Sequence, residues 1–199
     1  MASLSMHRCM DGGRSLSRAD WIDEGLRALR ETSHEALRAD PLAKRLGVSR
    51  GSFYWHFADV ATFHRAVLER WAQLAVDAPL LRVAGDPVAA MPALGSLIDV
   101  AFRAPRELER AVHGWVSIHA VAAEAVAAVG RRRVQILADM VRRQGSSDVE
   151  AEATAVVLYW TYLGSVLSTG FPVDEGRLAQ VRLRFAGPPV HPGTRRSPT

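Results

Sequence analysis

Apolar residues recur along most of this chain at steps of three and four, the spacing of one helix face, and no stretch alternates as a half-buried strand would. The first stripe is Trp21, Ile22, Gly25, Leu26, Ala28 and Leu29. Ser17, with Asp20 three residues on, forms a capping box before it, which predicts a helix running to about Thr32. Leu42, Ala43 and Leu46 follow, behind Asp40 as N-cap and Pro41 at the first helical position, and stop at Gly47, where a sharp turn needs positive φ. Ser49 is the expected N-cap of a helix starting near Arg50, its hydroxyl accepting from a first-turn amide. Asp59 caps a longer stripe of Val60, Phe63, Val67, Trp71 and Leu74 that runs to Pro79. Beyond a linker from Leu80 to Asp86, Asp86-Pro87 opens a succession of helices at about 87–103, 105–118, 120–144, 148–169 and 174–186. Pro105, Gly145-Ser146-Ser147 and Gly170-Phe171-Pro172 punctuate them. Residues 1–16 and the proline-rich 187–199 carry no periodicity and are expected to be disordered. The fold class is all-α.

At about 100° per residue, Phe53 and Phe57 share one face of the short helix from Arg50 and belong in a core. Trp55 points away from them, with Gly51 and Ser52 beside it and Arg50, Tyr54 and His56 on the flanks. Two helices meeting at a glycine, the second turning aromatic and polar groups outward, are the sequence form of a DNA-reading helix-turn-helix. Gly51 would allow close approach to a groove, and Ser52, Tyr54 and Trp55 would reach base edges while Ser49, Arg50 and His56 meet phosphates. Between Arg38 and Phe57 the basic residues Arg38, Lys44, Arg45 and Arg50 outnumber the single acid Asp40. Arg14 and Arg18 could add an arm to the same surface.

The formal charge of the 199 residues is only +4, and basic and acidic residues nearly balance over the first sixty, so local placement carries the argument. Cys9 is the lone cysteine, which excludes an internal disulfide and fits a reducing cytoplasm. No window is apolar enough for a membrane span, Ala120–Val129 being broken by Glu124, and the N-terminus has no secretory segment. Seven histidines are present, but His113 and His119 lie six apart rather than four, and no metal-ligand spacing, phosphate loop or nucleophile elbow occurs. Neither an enzyme nor a cofactor is expected.

Leu42-Ala43, then Leu46-Gly47-Val48-Ser49-Arg50-Gly51-Ser52-Phe53-Tyr54-Trp55-His56-Phe57, resembles the DNA-binding signature of the TetR family of bacterial regulators. Weaker similarity continues through Arg106–Ala111, Gly114-Trp115, Arg131-Arg132-Arg133 and Leu163-Gly164. Three positions depart from the pattern: Arg38 where a threonine often opens the first motif helix, Val60 where many members carry a basic phosphate contact, and Ser33-His34 for the usual glycine. The resemblance implies an N-terminal three-helix DNA-binding domain with its connecting helix over 17–78, and a helical effector-binding and dimerisation domain over 79–186. It gives the helix after Asp59 the task of carrying ligand-driven motion to the reading head. DNA-binding residues are then Arg38, Lys44, Ser49, Arg50, Gly51, Ser52, Tyr54, Trp55 and His56.

In such proteins the last two long helices pair with their symmetry mates as a four-helix bundle. This implies an interface at Ala155, Leu158, Tyr162, Val166, Leu178 and Val181. An apolar effector pocket between helices would draw on Met91, Phe102, Trp115, His119, Met140 and Tyr159. The reading is a cytoplasmic homodimer that binds double-stranded operator DNA as a repressor and is released by a small apolar or amphipathic effector. Two alternatives fit the same residues. One is a DNA-binding regulator without an effector, which a closed C-terminal core would favour. The other is a helical small-molecule or lipid-binding protein whose helix-turn-helix is vestigial, which Val60 and the near-neutral N-terminal region favour.

Overall fold

A computed structural model of the chain describes residues 16–83, 94–168, 170 and 173–186. Nine α-helices and one 3₁₀ turn make up the described residues, with no strand among them. They are α1 Arg18–Glu31, α2 Ala39–Leu46, α3 Arg50–His56, α4 Val60–Val83, α5 Leu94–Arg103, α6 Glu107–Trp115, α7 Ala120–Arg142, α8 Asp148–Leu167 and α9 Glu175–Ala186. The expected start of the fifth helix at Asp86-Pro87, Met91, Cys9, and the expected disorder of residues 1–15 and 187–199 fall outside the described residues.

Local chemistry accounts for most of the boundaries. Ser17 and Asp20 form the expected capping box, the serine hydroxyl accepting from the Asp20 amide at 3.2 Å while the Asp20 carboxylate accepts from the Ser17 amide at 2.7 Å. Gly47 has φ +69 and lets the amides of Gly47 and Val48 turn back onto the carbonyls of Lys44 and Ala43, a Schellman closure. Three boundaries differ from expectation. The helix before Gly47 opens two residues early, with Arg38 at the N-cap and Asp40 placed instead in the first turn, where its charge favours the helix dipole. Ser49 stands at the N-cap of α3, but its hydroxyl caps nothing. Pro79 lies inside α4, which continues to Val83.

α1, α2, α3 and the start of α4 enclose an aromatic knot. Phe53 contacts Trp21, Phe57 and Phe63 at ring separations of 5.4, 5.2 and 5.3 Å, and all four rings are buried. α1 and α4 meet at Gly25, where a Cβ would come within 2.7 Å of the Phe63 ring and 2.9 Å of Val67. This core does not stop at the first four helices. It continues along α4 through Val67 and Trp71 to Val112 and Trp115 of α6 and to Ala122 and Val129 of α7. A second core joins α5, the end of α7, α8 and α9 through Leu97, Phe102, Met140, Leu158 and Leu178. Two arginines, at the N-cap and in the first turn of α6, close the far end of α8: Arg106 donates to the Ser165 carbonyl at 2.9 Å and Arg110 to that of Val166 at 3.1 Å, cations meeting the negative end of a helix.

Candidate nucleic-acid interface and effector cavity

α3 presents two faces of opposite character. Phe53 and Phe57 are buried, whereas Trp55 is 89% exposed and Tyr54 46%. Two large aromatic side chains, neighbours in sequence, are thus left uncovered on this helix. Arg50, exposed on the same helix, donates to the Tyr54 hydroxyl at 3.3 Å, lies 5.7 Å from the Tyr54 ring centre and faces Asp40 at 3.5 Å. A Cβ at Gly51 would meet only the Ser49 hydroxyl, at 3.7 Å, Ser49 is exposed, and Ser52 and His56 are half-buried. Lys44 and Arg38 are exposed on the neighbouring α2 and its cap, Arg38 donating to the Glu35 carbonyl at 3.0 Å. Arg18 adds a cation 5.0 Å over the Phe57 ring, at the far end of α3.

Arg45 is the exception among the basic residues of the motif. It turns inward to the buried Glu24 carboxylate and to Glu31 at 2.6 Å, so it braces α2 against α1 and leaves Arg38, Lys44 and Arg50 as the outward charges. Glu24, itself a break in the apolar stripe of α1, was the sequence signal for this.

Beyond α1–α3, residues of α4, α5, α6, α7 and α8 line a half-open cavity of about 200 Å³. Its wall is apolar, with Leu74, Ile98, Phe102, Leu137 and Leu158 among the lining side chains, and polar only where Glu109, Arg133, Tyr159 and Tyr162 meet. Of the pocket residues expected from the sequence, Phe102 and Tyr159 line it. Trp115 and His119 do not. They pack instead against His64 and His34 at the joint between head and body, with ring separations of 5.0 Å for His64 to Trp115, 5.4 Å for His64 to His119 and 6.2 Å for His34 to Trp115. Met140 is buried in the second core rather than facing the cavity.

The polar end of the cavity is a buried ion pair. The Arg133 guanidinium meets both Glu109 oxygens, the longer contact at 3.2 Å, and also donates twice to the Ala75 carbonyl, at 3.1 and 3.3 Å. Trp71 Nε1 donates to the same carboxylate at 3.3 Å. Burial opposes ionisation of Glu109, but His113 and the bidentate Arg133 reverse this and hold the carboxyl down at about 2. Arg133 carries most of that hold, since His113 Nε2 stands 3.6 Å away and makes no hydrogen bond. Burial pushes the Tyr162 hydroxyl up to about 12, so it stays protonated and can donate. Periodicity alone did not mark Glu109 and Arg133 as a pair, though each is a charge on an otherwise apolar helix face.

The six residues expected at a dimer interface turn inward. Ala155, Leu158, Val166 and Leu178 are buried within the protomer, and Tyr162 and Val181 pack against the second core. α8 instead exposes Val149, Val157, Trp160 and Leu167, with Trp160 at 65%, while Leu183 is exposed on α9.

Solved structures share this arrangement. Salmonella enterica GusR superimposes with a TM-score of 0.64 at 16% identity over 85% of this chain and 93% of its own. The multidrug binding protein EbrR, complexed with imidazole, gives 0.61 at 23% identity over 87% and 96%. A candidate transcriptional regulator from Pseudomonas aeruginosa PAO1 gives 0.58 at 17% over 84% and 93%. No protein-family model and no curated protein matches the chain. What the likeness shows is a shared fold: a helix-turn-helix unit at the N-terminal end of an all-helical body. Among the described residues no helix is long and apolar enough to cross a membrane.

Proposed function

We propose that this chain is a DNA-binding transcriptional regulator, a homodimer that represses from a palindromic operator and is released when a small effector fills the cavity behind Phe102 and Tyr159. The observation that carries the reading is α3, whose buried face is complete with Phe53 and Phe57 while Trp55 stands 89% exposed beside Arg50, Gly51 and Tyr54. A helix turned outward in this way suits a major groove, with Arg38, Lys44, Ser49, Arg50 and His56 on phosphates and Ser52, Tyr54 and Trp55 nearest the bases. The exposed stripe of α8, from Val149 through Val157 and Trp160 to Leu167, is the face for a second copy, because one apolar line along a surface helix is covered most economically by its symmetry mate. The cavity favours an effector over an effector-free regulator.

The experiment is a mobility shift of the purified chain with the DNA flanking its own gene, against random competitor at moderate salt. A discrete, competitor-resistant complex at two chains per site is expected. Binding that is salt-labile and equal for all sequences would overturn the reading in favour of a helical small-molecule binder.

A further inference from the structure

The cavity also limits what can enter it. An apolar cavity of about 150 Å³ accommodates benzene, so one of about 200 Å³ takes a molecule of one or two fused rings. Trp71, Phe102, Tyr159 and Tyr162 give it aromatic edges and faces to pack on. Its two charges cancel, and neither is free to change. Glu109 stays ionised because Arg133 holds it, and Arg133 is committed to Glu109 and to the Ala75 carbonyl. An entering anion is repelled by Glu109 as it is drawn to Arg133, and an entering cation the reverse, so neither gains the net attraction that would offset its lost hydration. A neutral hydroxyl meets neither penalty, and it can donate to the carboxylate or accept from the guanidinium or a tyrosine.

We infer that the cavity selects small, uncharged aromatic molecules of one or two rings bearing a single hydrogen-bonding group, which docks on the Glu109–Arg133 pair. This rests on the reading of the cavity as the effector site and adds its chemistry. The pair that would receive the ligand also holds α4: Glu109 accepts from Trp71 and Arg133 donates to Ala75, both on that helix. A ligand hydroxyl competing for these partners therefore loosens the helix that leads to the reading head. Ligand recognition and release of α4 fall on the same two side chains.

The test uses the full chain at pH 7 and calorimetric titration with four probes of one shape: 2-naphthol, naphthalene, 2-naphthoate and 2-naphthylmethylammonium. The expected order is 2-naphthol first, at least tenfold tighter than either charged probe and tighter than naphthalene, which lacks the hydroxyl. This ranking needs no variant. Ala101→Phe, which directs a ring into the cavity from the half-buried face of α5, should abolish naphthol binding while the helical circular dichroism stays unchanged. A charged probe binding as tightly as 2-naphthol, naphthol binding that survives Ala101→Phe, or no probe binding at all would each overturn the inference. The same samples in the mobility shift separate it from the regulator reading. Naphthol binding in the expected order with DNA retention unaltered supports the ligand class and sinks effector release, whereas specific DNA binding with the order reversed sinks the ligand class alone.

Discussion

Removing Arg133 while Glu109 remains is the sharpest perturbation the structure offers. Arg133→Gln deletes both contacts to the carboxylate and both bonds to the Ala75 carbonyl, and leaves an ionised group 7% exposed with only Trp71 donating to it. Breaking one side of a buried ion pair costs about 3–5 kcal/mol. For a protein of this size that lowers the melting temperature by about 6–20 °C, at about 2–4 °C per kcal/mol. Glu109→Gln/Arg133→Gln should recover much of the loss, because two neutral amides of similar shape can bond to each other without a stranded charge. The assay is thermal unfolding of the wild type, both single variants and the double variant at one fixed protein concentration, since a dimer's midpoint depends on it. Additive losses, the double variant falling by the sum of the singles, would refute the coupling and with it the role of the pair as a clasp on α4. The pair also sets an acid limit. The folded value of Glu109, about 2, lies below its ordinary 4.5, so its contribution is complete above that ordinary value and is lost as pH falls toward 2.

Four further outcomes are expected. Trp55→Ala should leave the unfolding midpoint within about 0.5 kcal/mol of wild type yet weaken operator binding, while Phe53→Ala, at the centre of the aromatic knot, should cost about 3–5 kcal/mol; unfolding curves beside mobility shifts distinguish the two faces of α3. Arg50→Ala should weaken binding to every sequence and flatten its salt dependence, whereas Tyr54→Ala should reduce the preference for operator over random DNA. Because the guanidinium donates to the Tyr54 hydroxyl, the double variant should lose less than the two together. Burial, with His119 and His34 nearby, holds His64 below the ordinary histidine value against the pull of its bond to the Leu37 carbonyl. A lowered folded value means stability falls as pH drops below about 6.5, so melting between pH 7.5 and 5.5 should show a loss that His64→Gln removes. Trp160→Glu should shift the chain to monomer in sedimentation without loss of helix, since the side chain already faces solvent in the protomer.

The head was legible in the sequence because each signal there is local. A capping box, a glycine with positive φ and an i, i+4 phenylalanine pair each fix a few neighbouring residues, and together they leave Trp55 one direction to point. The start of α2 differs because Asp40-Pro41 offers a second cap two residues inside the true one. The body was harder for a physical reason. α8 is apolar on nearly every side, so its pattern could not say which side meets the protomer and which is left uncovered. Ala155 and Leu158 point in, Val157 and Trp160 point out, and only the packing of α7 against α8 decides it. The cavity was missed in part because Trp115 and His119 carry the residue types of a pocket but sit where α6 turns into α7, against the histidines of the head.

That placement bears on how a ligand could act at all. The head and the body share one core, which runs from Phe53 through Phe63 and Trp71 to Trp115 and Val129, so the head cannot swing as a separate bead on a linker. On the effector reading proposed above, the path is α4, whose first half belongs to the aromatic knot and whose second half walls the cavity. A ligand shifts the balance only by the difference in its affinity for the two arrangements, and a hundredfold difference is worth about 2.7 kcal/mol. The bonds that fix α4 at the cavity, Trp71 to Glu109 and Arg133 to Ala75, are each worth about 1.5–3 kcal/mol as hydrogen bonds to charged groups. Exchanging one of them for a bond to the ligand is therefore of the size needed, and no larger rearrangement of the core has to be invoked.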